Sequence, residues 1–450
     1  MYLLEVNGQK ILLECGLFQG KRGESIIRNK NFSFAPSDLS CVILSHAHID
    51  HSGNLPNLCK QGFRGNIYCT FATRDLASIM LEDSAHIQKA DAEFVSKKHA
   101  KKGLPPVDPL YNVEDAEQAV QQFVSLNYDR PMPIAEGVTL IFKDAGHILG
   151  SAQVVLDIKE NGKAFRFLFS GDVGRGKDDI LRDPVAVEDV DVLMVESTYG
   201  GREHGPKSVA HELVEMYVKE TISKGGKVII PSFSVGRTQE IVYTLHRLTE
   251  AGRIPKIPIF VDSPLSVNAT EIYRLHPECF NSEIYRFLRE VKNPFGMDNL
   301  TYIREQAHSL KLNDLKEPAI IISASGMCEA GRIRHHLKNN IGDPKNLVLF
   351  IGYCAENTLG AQLVAGKKTV NIFGEPHEVR AKVLSIDAYS GHADKNELLN
   401  YVKAISGPMK KIFVIHGEQD QTLAFCDLLS TAKPDSQIIP PIPGELHTCF

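Results

Sequence analysis

The segment S-H-A-H-I-D-H at residues 45–51 constrains this chain more than any other stretch of its sequence. It places three imidazoles and one carboxylate within six residues, directly after the apolar run CVIL. Imidazole nitrogens and carboxylate oxygens are ligands that Zn²⁺ prefers in proteins. Because a loop at a strand end can turn several side chains toward one point, we expect a metal site that includes His46, His48, Asp50 and His51.

Three further candidate ligands follow the same pattern, each shortly after an apolar run that predicts a strand. His147 follows VTLIF in KDAGHILGS, Asp172 follows FRFLF in SGDVGR, and His416 follows KIFV in IHGE. A lone histidine or aspartate in such a place is usually structural, but the shared position at strand ends predicts one common site. The stretch GDVGRG lacks the ending and the spacing of a nucleotide-binding loop, so we exclude that role.

The order of predicted strands and helices indicates two domains, one inserted within the other. A chain of 450 residues exceeds what one hydrophobic core usually covers. The first 200 residues are rich in predicted strands, with one long helix at about 72–102. The apolar positions of this helix suit a partly buried element and are Leu76, Ile79, Met80, Ile87 and Phe94. From about Gly201 strands alternate with helices, which predicts a mostly parallel sheet, and the strand-rich pattern returns near Lys382.

Composition narrows the class of protein without deciding its substrate. The formal net charge of −5 argues mildly against a non-specific nucleic-acid binder, although bound divalent cations would reverse the local sign. The nine cysteines contain no CxxC pair, which is typical of free thiols in a reducing cytoplasm. No apolar run approaches the roughly 20 residues of a membrane helix, and the N-terminus does not resemble a signal peptide. We therefore expect a cytoplasmic protein without a membrane partner.

Several motifs together resemble those of a known nuclease family. HAHIDH with the later GH, GD and HGE motifs is similar to the metallo-β-lactamase fold. ESTYG at 196–200, SFSVGR at 232–237, SASGM at 323–327 and SGHAD at 390–394 resemble its β-CASP branch, which contains RNA- and DNA-processing nucleases. The resemblance implies an α/β protein: a four-layer αββα metallo-β-lactamase domain, residues 1–200 and 387–450, with an inserted α/β β-CASP domain, residues 201–386, that has a mostly parallel sheet.

The same resemblance implies two Zn²⁺ ions per chain, with Mn²⁺ as a replacement in some conditions. One zinc would be held by His46, His48 and His147, and the other by Asp50, His51 and His416. Asp172 would bridge the two ions, with a hydroxide between them. In this interpretation the residues with catalytic roles are Asp50, Asp172, Glu196 and His392.

Glu196 and His392 match the acid and the histidine that the family places beside its metals. We interpret His392 as the general acid for the leaving ribose oxygen and Glu196 as the group that orients it. SFSVGR and SASGMCEAGR place small residues and an arginine near predicted helix starts, where phosphate can bind. The candidate phosphate-binding residues are Ser232, Ser234, Arg237, Ser325, Gly326 and Arg332. The alternative is that these small residues serve tight helix–strand packing.

The sequence departs from the family pattern at two points. Glu14 in LLECGLFQG stands where the family usually has Asp, and the extra methylene could shift the geometry of the ligands. Family members usually have a further strand and turn before a segment such as YLLEVNG, so we expect either a truncated start or a first sheet that lacks its edge strand. Both differences bear on stability and activity.

The leading hypothesis is a zinc-dependent ribonuclease that hydrolyses single-stranded RNA by a two-metal hydroxide mechanism. The presence of His416 favours RNA, because DNA-directed relatives tend to lack a histidine there. Two alternatives remain: a small-molecule hydrolase of the same fold, such as a thioesterase or lactonase, and a non-catalytic RNA-binding scaffold. Endonuclease or exonuclease action, the natural RNA and the oligomeric state, including a homodimer, stay open.

Overall fold

The computed structural model describes residues 1–18, 20, 22–291, 293–352, 354–355 and 357–449. The chain divides into two units, the first formed by Met1–Arg202 with His392–Phe450 and the second by Glu203–Gly391. The domain limits expected from the sequence, 1–200 with 387–450 and 201–386, stay a prediction.

The N-terminal part of the first unit contributes strands to two sheets. Its strands are β1 Tyr2–Val6, β2 Gln9–Leu13, β3 Leu39–Ile43, β4 Asn66–Thr70, β5 Phe123–Leu126, β6 Met132–Ala135, β7 Val138–Asp144, β8 Ala152–Glu160, β9 Lys163–Phe169 and β10 Val192–Glu196. Its helices are α1 Arg22–Lys30, α2 Ile49–Ser52, α3 Leu55–Lys60, α4 Phe71–Ala100 and α5 Val113–Gln121, with a 3₁₀ turn at Pro36–Asp38. Helix α4 begins after Thr70, whose hydroxyl accepts a hydrogen bond from the Thr73 amide at 3.2 Å, as an N-cap does.

The second unit alternates helices with strands. Its elements are α6 Lys207–Ser223, β11 Val228–Pro231, α7 Arg237–Glu250, β12 Ile259–Asp262, α8 Pro264–Leu275, α9 Ser282–Val291, β13 Leu300–Ile303, α10 Gln306–Lys311, β14 Ile320–Ser323, α11 Ile333–Asn340, β15 Leu347–Phe350, α12 Leu359–Val364, β16 Thr369–Ile372, β17 Glu375–Glu378 and β18 Lys382–Ser385, with 3₁₀ turns at Pro277–Cys279, Leu312–Asp314 and Asp387–Tyr389. A six-stranded parallel sheet has the order β13-β12-β14-β11-β15-β18, and β16 pairs with β17 in a separate hairpin. The predicted mostly parallel sheet is confirmed.

The C-terminal segment returns to the first unit with α13 Lys395–Ala404, β19 Lys411–Ile415, α14 Gln419–Ala432 and β20 Gln437–Ile439. Helix α13 begins after Asp394, which caps the amides of Asn396 and Glu397 at 2.9 Å. Strand β19 pairs in parallel with β10, so two segments that are far apart in sequence lie side by side in one sheet.

The two sheets of the first unit pack face to face between helices. One sheet has the order β1-β2-β3-β4-β5, and the other has the order β20-β19-β10-β9-β8-β7-β6. The core between them contains Ile11 and Ile43 from the first sheet and Phe142, Phe167 and Phe413 from the second. Another core on the far face of the second sheet packs Leu168 and Leu193 against Leu398 of α13 and Phe425 of α14. These layers confirm the expected αββα arrangement.

Strand β7 shows why the sequence gives such a layered fold. Its residues alternate between buried and half-buried positions, as expected for a strand whose two faces meet different surroundings. Val138, Leu140 and Phe142 all join the core between the sheets. The alternation therefore sets which face of the second sheet packs against the first.

The long helix is partly buried, as predicted, but two of its apolar positions are exposed. Leu76 and Met80 are buried as expected, but Ile87 and Phe94 are 47% and 59% exposed. In the described part of α4 that follows Ala85, only Ala92 is buried. The C-terminal half of the helix therefore lies mostly outside the core. The short strands β4, β5 and β6 were absent from the sequence analysis. Among the described residues there is no helix with the length and apolar character needed to cross a membrane.

Candidate metal centre

The candidate ligands of the first unit follow strands, as the sequence predicts. The loop after β3 carries His46 and His48, and the short helix α2 that continues it carries Asp50 and His51. The remaining candidates His147, Asp172 and His416 follow β7, β9 and β19. Glu196 is the last residue of β10. Strands β9, β10 and β19 run parallel, so their carboxyl ends meet at one edge of the sheet. This topology brings distant sequence motifs together.

The first ligand cluster consists of His46, His48, His147 and Asp172, whose ligand atoms lie within 4.8 Å of one another. The Nδ1 atom of His48 lies 3.1 Å from Nε2 of His46 and 3.2 Å from Nε2 of His147. Asp172 Oδ2 lies 3.4 Å from His46 Nε2 and 3.6 Å from His147 Nε2. All of these side chains except His48 are buried.

The second ligand cluster consists of Asp50, His51 and His416. The Nε2 atoms of His51 and His416 are 3.1 Å apart, and Asp50 Oδ2 lies 3.8 Å and 3.6 Å from them. Asp172 adjoins this cluster too, because its Oδ2 is 3.4 Å from His51 Nε2 and its Oδ1 is 3.5 Å from His416 Nδ1. Asp172 is thus shared between the two clusters.

The donor atoms in both clusters fit a metal ion. Neighbouring imidazole nitrogens at 3.1–3.2 Å would direct lone pairs at each other unless a proton or a cation lies between them. Asp172 Oδ1 is buried and has no hydrogen-bond partner within the part of the chain that the structure describes. A buried oxygen of this kind is costly unless another group satisfies it. Imidazole and carboxylate ligands suit Zn²⁺, and they also suit other divalent cations.

The nitrogens that face away from the clusters have partners of their own. His46 Nδ1 lies 3.0 Å from Ser45 Oγ, and His51 Nδ1 lies 2.6 Å from Glu14 Oε2. Metal-binding histidines usually have such an outer partner, because it fixes the tautomer and the ring orientation. Sequence reasoning did not single out Ser45, although its place directly before His46 was a signal for it.

Glu14 connects both ends of the histidine-rich loop. Its Oε1 accepts a hydrogen bond from the Ser45 amide at 2.7 Å, and its Oε2 contacts His51 Nδ1 at 2.6 Å. The residue is buried and has a left-handed backbone with φ of 62°. Glu14 stands where the family usually has Asp, and its longer side chain contacts both the Ser45 amide and the His51 ring.

The electrostatics differ between the two clusters. Burial, opposed by Asp50 and Asp172, lowers the pKa of His48 to about 4. Burial and neighbouring His51 also hold the pKa of His46 well below its usual value. In the second cluster burial acts in the same direction, but the carboxylates of Asp172 and Asp50 together outweigh it and raise the pKa of His416. Neutral imidazole is the form that binds metals, so the first cluster is already suited to a cation at neutral pH.

His392 and Glu196 lie directly beside the first cluster. His392 Nδ1 is 3.2 Å from Glu196 Oε1 and 3.9 Å from Asp172 Oδ2. Glu196 is fully buried and also accepts a hydrogen bond from the Val173 amide at 2.7 Å. Burial alone would lower the pKa of His392, but Glu196 and Asp172 raise it to about 9.

The predicted phosphate-binding residues lie in two adjoining loops of the second unit, except Arg237, which is the first residue of α7. The loops follow the paired strands β11 and β14, and an added Cβ at Gly326 would come within 2.9 Å of the Phe233 ring. Ser232 donates its amide to Ser323 O at 3.0 Å, and Ser325 donates its amide to Ala330 O at 3.3 Å. This close packing is what we expect if the small residues serve tight helix–strand packing. Phosphate binding by these residues stays a prediction.

The two predicted phosphate-binding arginines have internal partners. Arg237 is buried and contacts the Glu240 carboxylate and the Tyr389 carbonyl. Arg332 donates to Asp262 Oδ1 at 2.7 Å and also contacts the Arg304 carbonyl. Ser234 Oγ lies 3.4 Å from Ser263 Oγ. A phosphate group would therefore compete with these contacts for the guanidinium groups.

Comparison with known families gives matches along most of the chain. Residues 3–189 match a metallo-beta-lactamase superfamily domain, and residues 238–363 match a Beta-Casp domain. Residues 376–440 match a Zn-dependent metallo-hydrolase RNA specificity domain. The candidate ligands of the first unit fall within or beside these stretches.

Curated relatives are similar over nearly the whole chain. Ribonuclease TTHA0252 of Thermus thermophilus is 35% identical over 95% of this chain and 92% of its own length. The RNase J-like protein of Methanocaldococcus jannaschii is 35% identical over 94% of this chain and 91% of its own. Transcription termination factor FttA of Methanothermobacter thermautotrophicus is 32% identical over 99% of this chain and 68% of its longer sequence.

Proposed function

Since this chain belongs to the β-CASP branch of the metallo-β-lactamase superfamily, we propose that it is a zinc-dependent ribonuclease that hydrolyses phosphodiester bonds of single-stranded RNA. The observation that carries the proposal is the shared carboxylate of Asp172, which lies within 3.6 Å of imidazole nitrogens from both ligand clusters. Such an arrangement suits two neighbouring cations better than one.

In this proposal His46, His48 and His147 hold one Zn²⁺, Asp50, His51 and His416 hold the other, and Asp172 serves both. Mn²⁺ could take the same ligands, because carboxylates and imidazoles suit it as well. When bound, the two ions would supply Lewis acidity, which activates water near neutral pH and neutralises charge on the phosphoryl group.

His392 would donate the proton that the leaving ribose oxygen needs. Its Nδ1 contacts Glu196, so the proton to be donated would be held on Nε2. A pKa raised to about 9 keeps the imidazolium populated at neutral pH. Glu196, anchored by the Val173 amide, would orient this ring and stabilise its charge. A positioned acid of this kind contributes roughly 10²–10⁴-fold to the rate.

RNA is the proposed substrate because of the comparisons with known proteins and because of one residue of the metal site. Residues 376–440 match a domain described by its RNA specificity, and two similar curated proteins are named as ribonucleases. His416, which the sequence analysis linked to RNA-directed members, lies in the second ligand cluster. The loops with Ser232 and Ser325 are proposed to contact substrate phosphates.

The cellular setting and the assembly are further hypotheses. All nine cysteines have free thiols, which supports a reducing cytoplasmic environment. The oligomeric state stays open, and light scattering coupled to size-exclusion chromatography would show whether the chain forms a homodimer.

The test is incubation of zinc-loaded protein with end-labelled single-stranded RNA and with DNA of the same sequence. We expect RNA to be cut faster, and the lengths of the early products will separate internal cleavage from cleavage at an end. His147→Ala is the matched inactive variant, because it removes one proposed ligand of the first cluster. Equal rates on both nucleic acids, or activity only on thioesters or lactones, would contradict the proposal.

A further inference from the structure

Thr198 lies in the turn that follows β10 and contacts the segment that carries His416. Its hydroxyl oxygen is 3.2 Å from the His416 carbonyl oxygen and 3.2 Å from His416 Nδ1. The neighbouring Ser197 donates its amide to the same carbonyl at 3.2 Å and its hydroxyl to Ile415 O at 2.8 Å. The turn Glu196–Thr198, which we name the support turn, therefore holds the end of β19.

The support turn also holds the proposed proton donor. Glu196 Oε1 contacts His392 Nδ1 at 3.2 Å, while Glu196 Oε2 accepts a hydrogen bond from the Thr198 amide at 3.2 Å. His416 has a left-handed backbone with φ of 48°, a conformation that is uncommon in a residue other than glycine. One short turn thus constrains a proposed ligand and the proposed acid together.

The hydrogen-bonding capacity of the Thr198 hydroxyl links its choice of acceptor to the tautomer of His416. The hydroxyl has one hydrogen to donate, and a carbonyl oxygen can only accept. When Thr198 donates to the His416 carbonyl, its lone pairs can only accept a hydrogen bond from Nδ1–H. Asp172 Oδ1 is the competing partner of Nδ1, but at 3.5 Å it forms no hydrogen bond with that nitrogen.

We propose that Thr198 is a positioning residue that holds His416 as the Nδ1–H tautomer and so directs the unprotonated Nε2 to the second ligand cluster. This inference rests on the proposed function, since it assigns Thr198 a role in binding one of the two metals. It agrees with the geometry, because His416 Nε2 is the atom that lies 3.1 Å from His51 Nε2 and 3.6 Å from Asp50 Oδ2. Thr198 then corresponds to Glu14, which contacts Nδ1 of His51 in the same way.

Metal affinity tests the role of the Thr198 hydroxyl. Thr198→Val keeps the size of the side chain but removes the hydroxyl, and Thr198→Ser restores the hydroxyl. Competition with a coloured chelator measures the zinc affinity of both sites in the full-length protein. We expect Thr198→Val to weaken one of the two sites by about 10–100-fold, as removal of an outer partner of a metal-binding histidine does, and Thr198→Ser to bind like the wild type.

Thr422→Val is the matched control. The Thr422 hydroxyl lies 2.9 Å from Ser197 Oγ, behind the support turn, and it is also half-buried. This variant should bind zinc like the wild type. Equal affinity of Thr198→Val and the wild type would overturn the inference, and so would an equal loss in Thr198→Ser and Thr198→Val. Thermal unfolding of the metal-free variants shows whether any loss of affinity merely reflects a damaged fold.

The tautomer itself can be read by ¹⁵N NMR of histidine-labelled, zinc-loaded protein, with His416→Ala used to assign the signal. We expect a protonated Nδ1 and a zinc-bound Nε2 for His416 in the wild type. Coordination through Nδ1 would overturn the inference while leaving the proposed ribonuclease intact. A wild-type protein that binds no zinc and cleaves no RNA would instead overturn the proposed function and, with it, this role of Thr198.

Discussion

At the scale of residues, the side chains predicted to converge lie close together in the structure. Ser45 and Thr198, which support them through hydrogen bonds, were not predicted to do so. His46, His147 and His416 were predicted to converge because each follows an apolar strand, and their ligand atoms lie in two adjoining clusters. The contact of Thr198 with His416 could not be predicted from the sequence, because it depends on the pairing of β10 with β19. A local sequence pattern does not specify which strands become neighbours.

His392 provides the first prediction at this scale. His392→Ala should keep both zinc equivalents but reduce kcat for RNA by roughly 10²–10⁴-fold, because it removes a proton donor and no proposed ligand. The measurement combines metal analysis with single-turnover cleavage. A phosphodiester with a nitrophenolate leaving group needs little protonation, so it should restore much of the activity.

Asp172→Ala is the control for the His392 variant. The activated substrate should restore little activity to it, because Asp172 adjoins both ligand clusters. If His392→Ala loses a zinc equivalent, or gains nothing from the activated substrate, then His392 is a ligand and not the acid.

Glu14 provides the second residue-scale prediction. Glu14→Gln should weaken zinc binding by about 10–100-fold. The two carboxylate oxygens of Glu14 contact the Ser45 amide and the His51 ring, and a glutamine has only one oxygen that can accept a hydrogen bond. Chelator competition measures the affinity, and Glu5→Gln on the exposed surface serves as the control. Wild-type affinity in Glu14→Gln would show that the contact with His51 is dispensable.

At the scale of elements, the ligand loops pack against one another backbone to backbone. A Cβ added at Gly16 would lie 1.5 Å from the Asp50 carbonyl oxygen, and one added at Gly174 would lie 1.8 Å from the Gly146 carbonyl oxygen. Real Cβ atoms do not approach backbone so closely, so each glycine lets two loops meet. The loop of Asp50 and the loop of His147 are therefore fixed by neighbouring loops as well as by their own strands.

Gly174→Ala tests this loop packing. The new methyl group should displace the loop of His147, lower the free energy of unfolding by about 1–3 kcal/mol or more, and reduce zinc affinity. Denaturant unfolding and metal titration measure the two effects. Gly23→Ala in α1 is the control, because its added Cβ meets no atom within 4 Å and alanine favours helix. Unchanged zinc binding in Gly174→Ala would mean that the loop of His147 adjusts freely.

In the first unit, a long alternating strand was predicted from the sequence and two short, half-buried strands were not. Strand β7, with seven residues in strict alternation, was recognised directly, whereas the four-residue strands β5 and β6 were not. Helix α4 was recognised, but its apolar residues Ile87 and Phe94 are exposed. Periodicity identifies a helix, but it does not reveal where along the helix the neighbouring core ends.

At the scale of the whole molecule, the proposed metal site combines residues from both ends of the chain. His46 lies near the N-terminus and His416 in the returning C-terminal segment, and both belong to the first unit. The parallel pairing of β10 with β19 brings the two regions together. We therefore expect the second ligand cluster to form only after the C-terminal segment has joined the sheet.

The number of metal ions per chain tests the central claim most directly. Elemental analysis of the purified wild-type protein, after zinc loading and removal of excess metal, should give two equivalents per chain, because seven candidate ligands form two clusters that share Asp172. Asp172→Ala, analysed in parallel, should lose metal from both clusters. A wild-type protein that retains at most one equivalent of zinc would contradict the two-metal account.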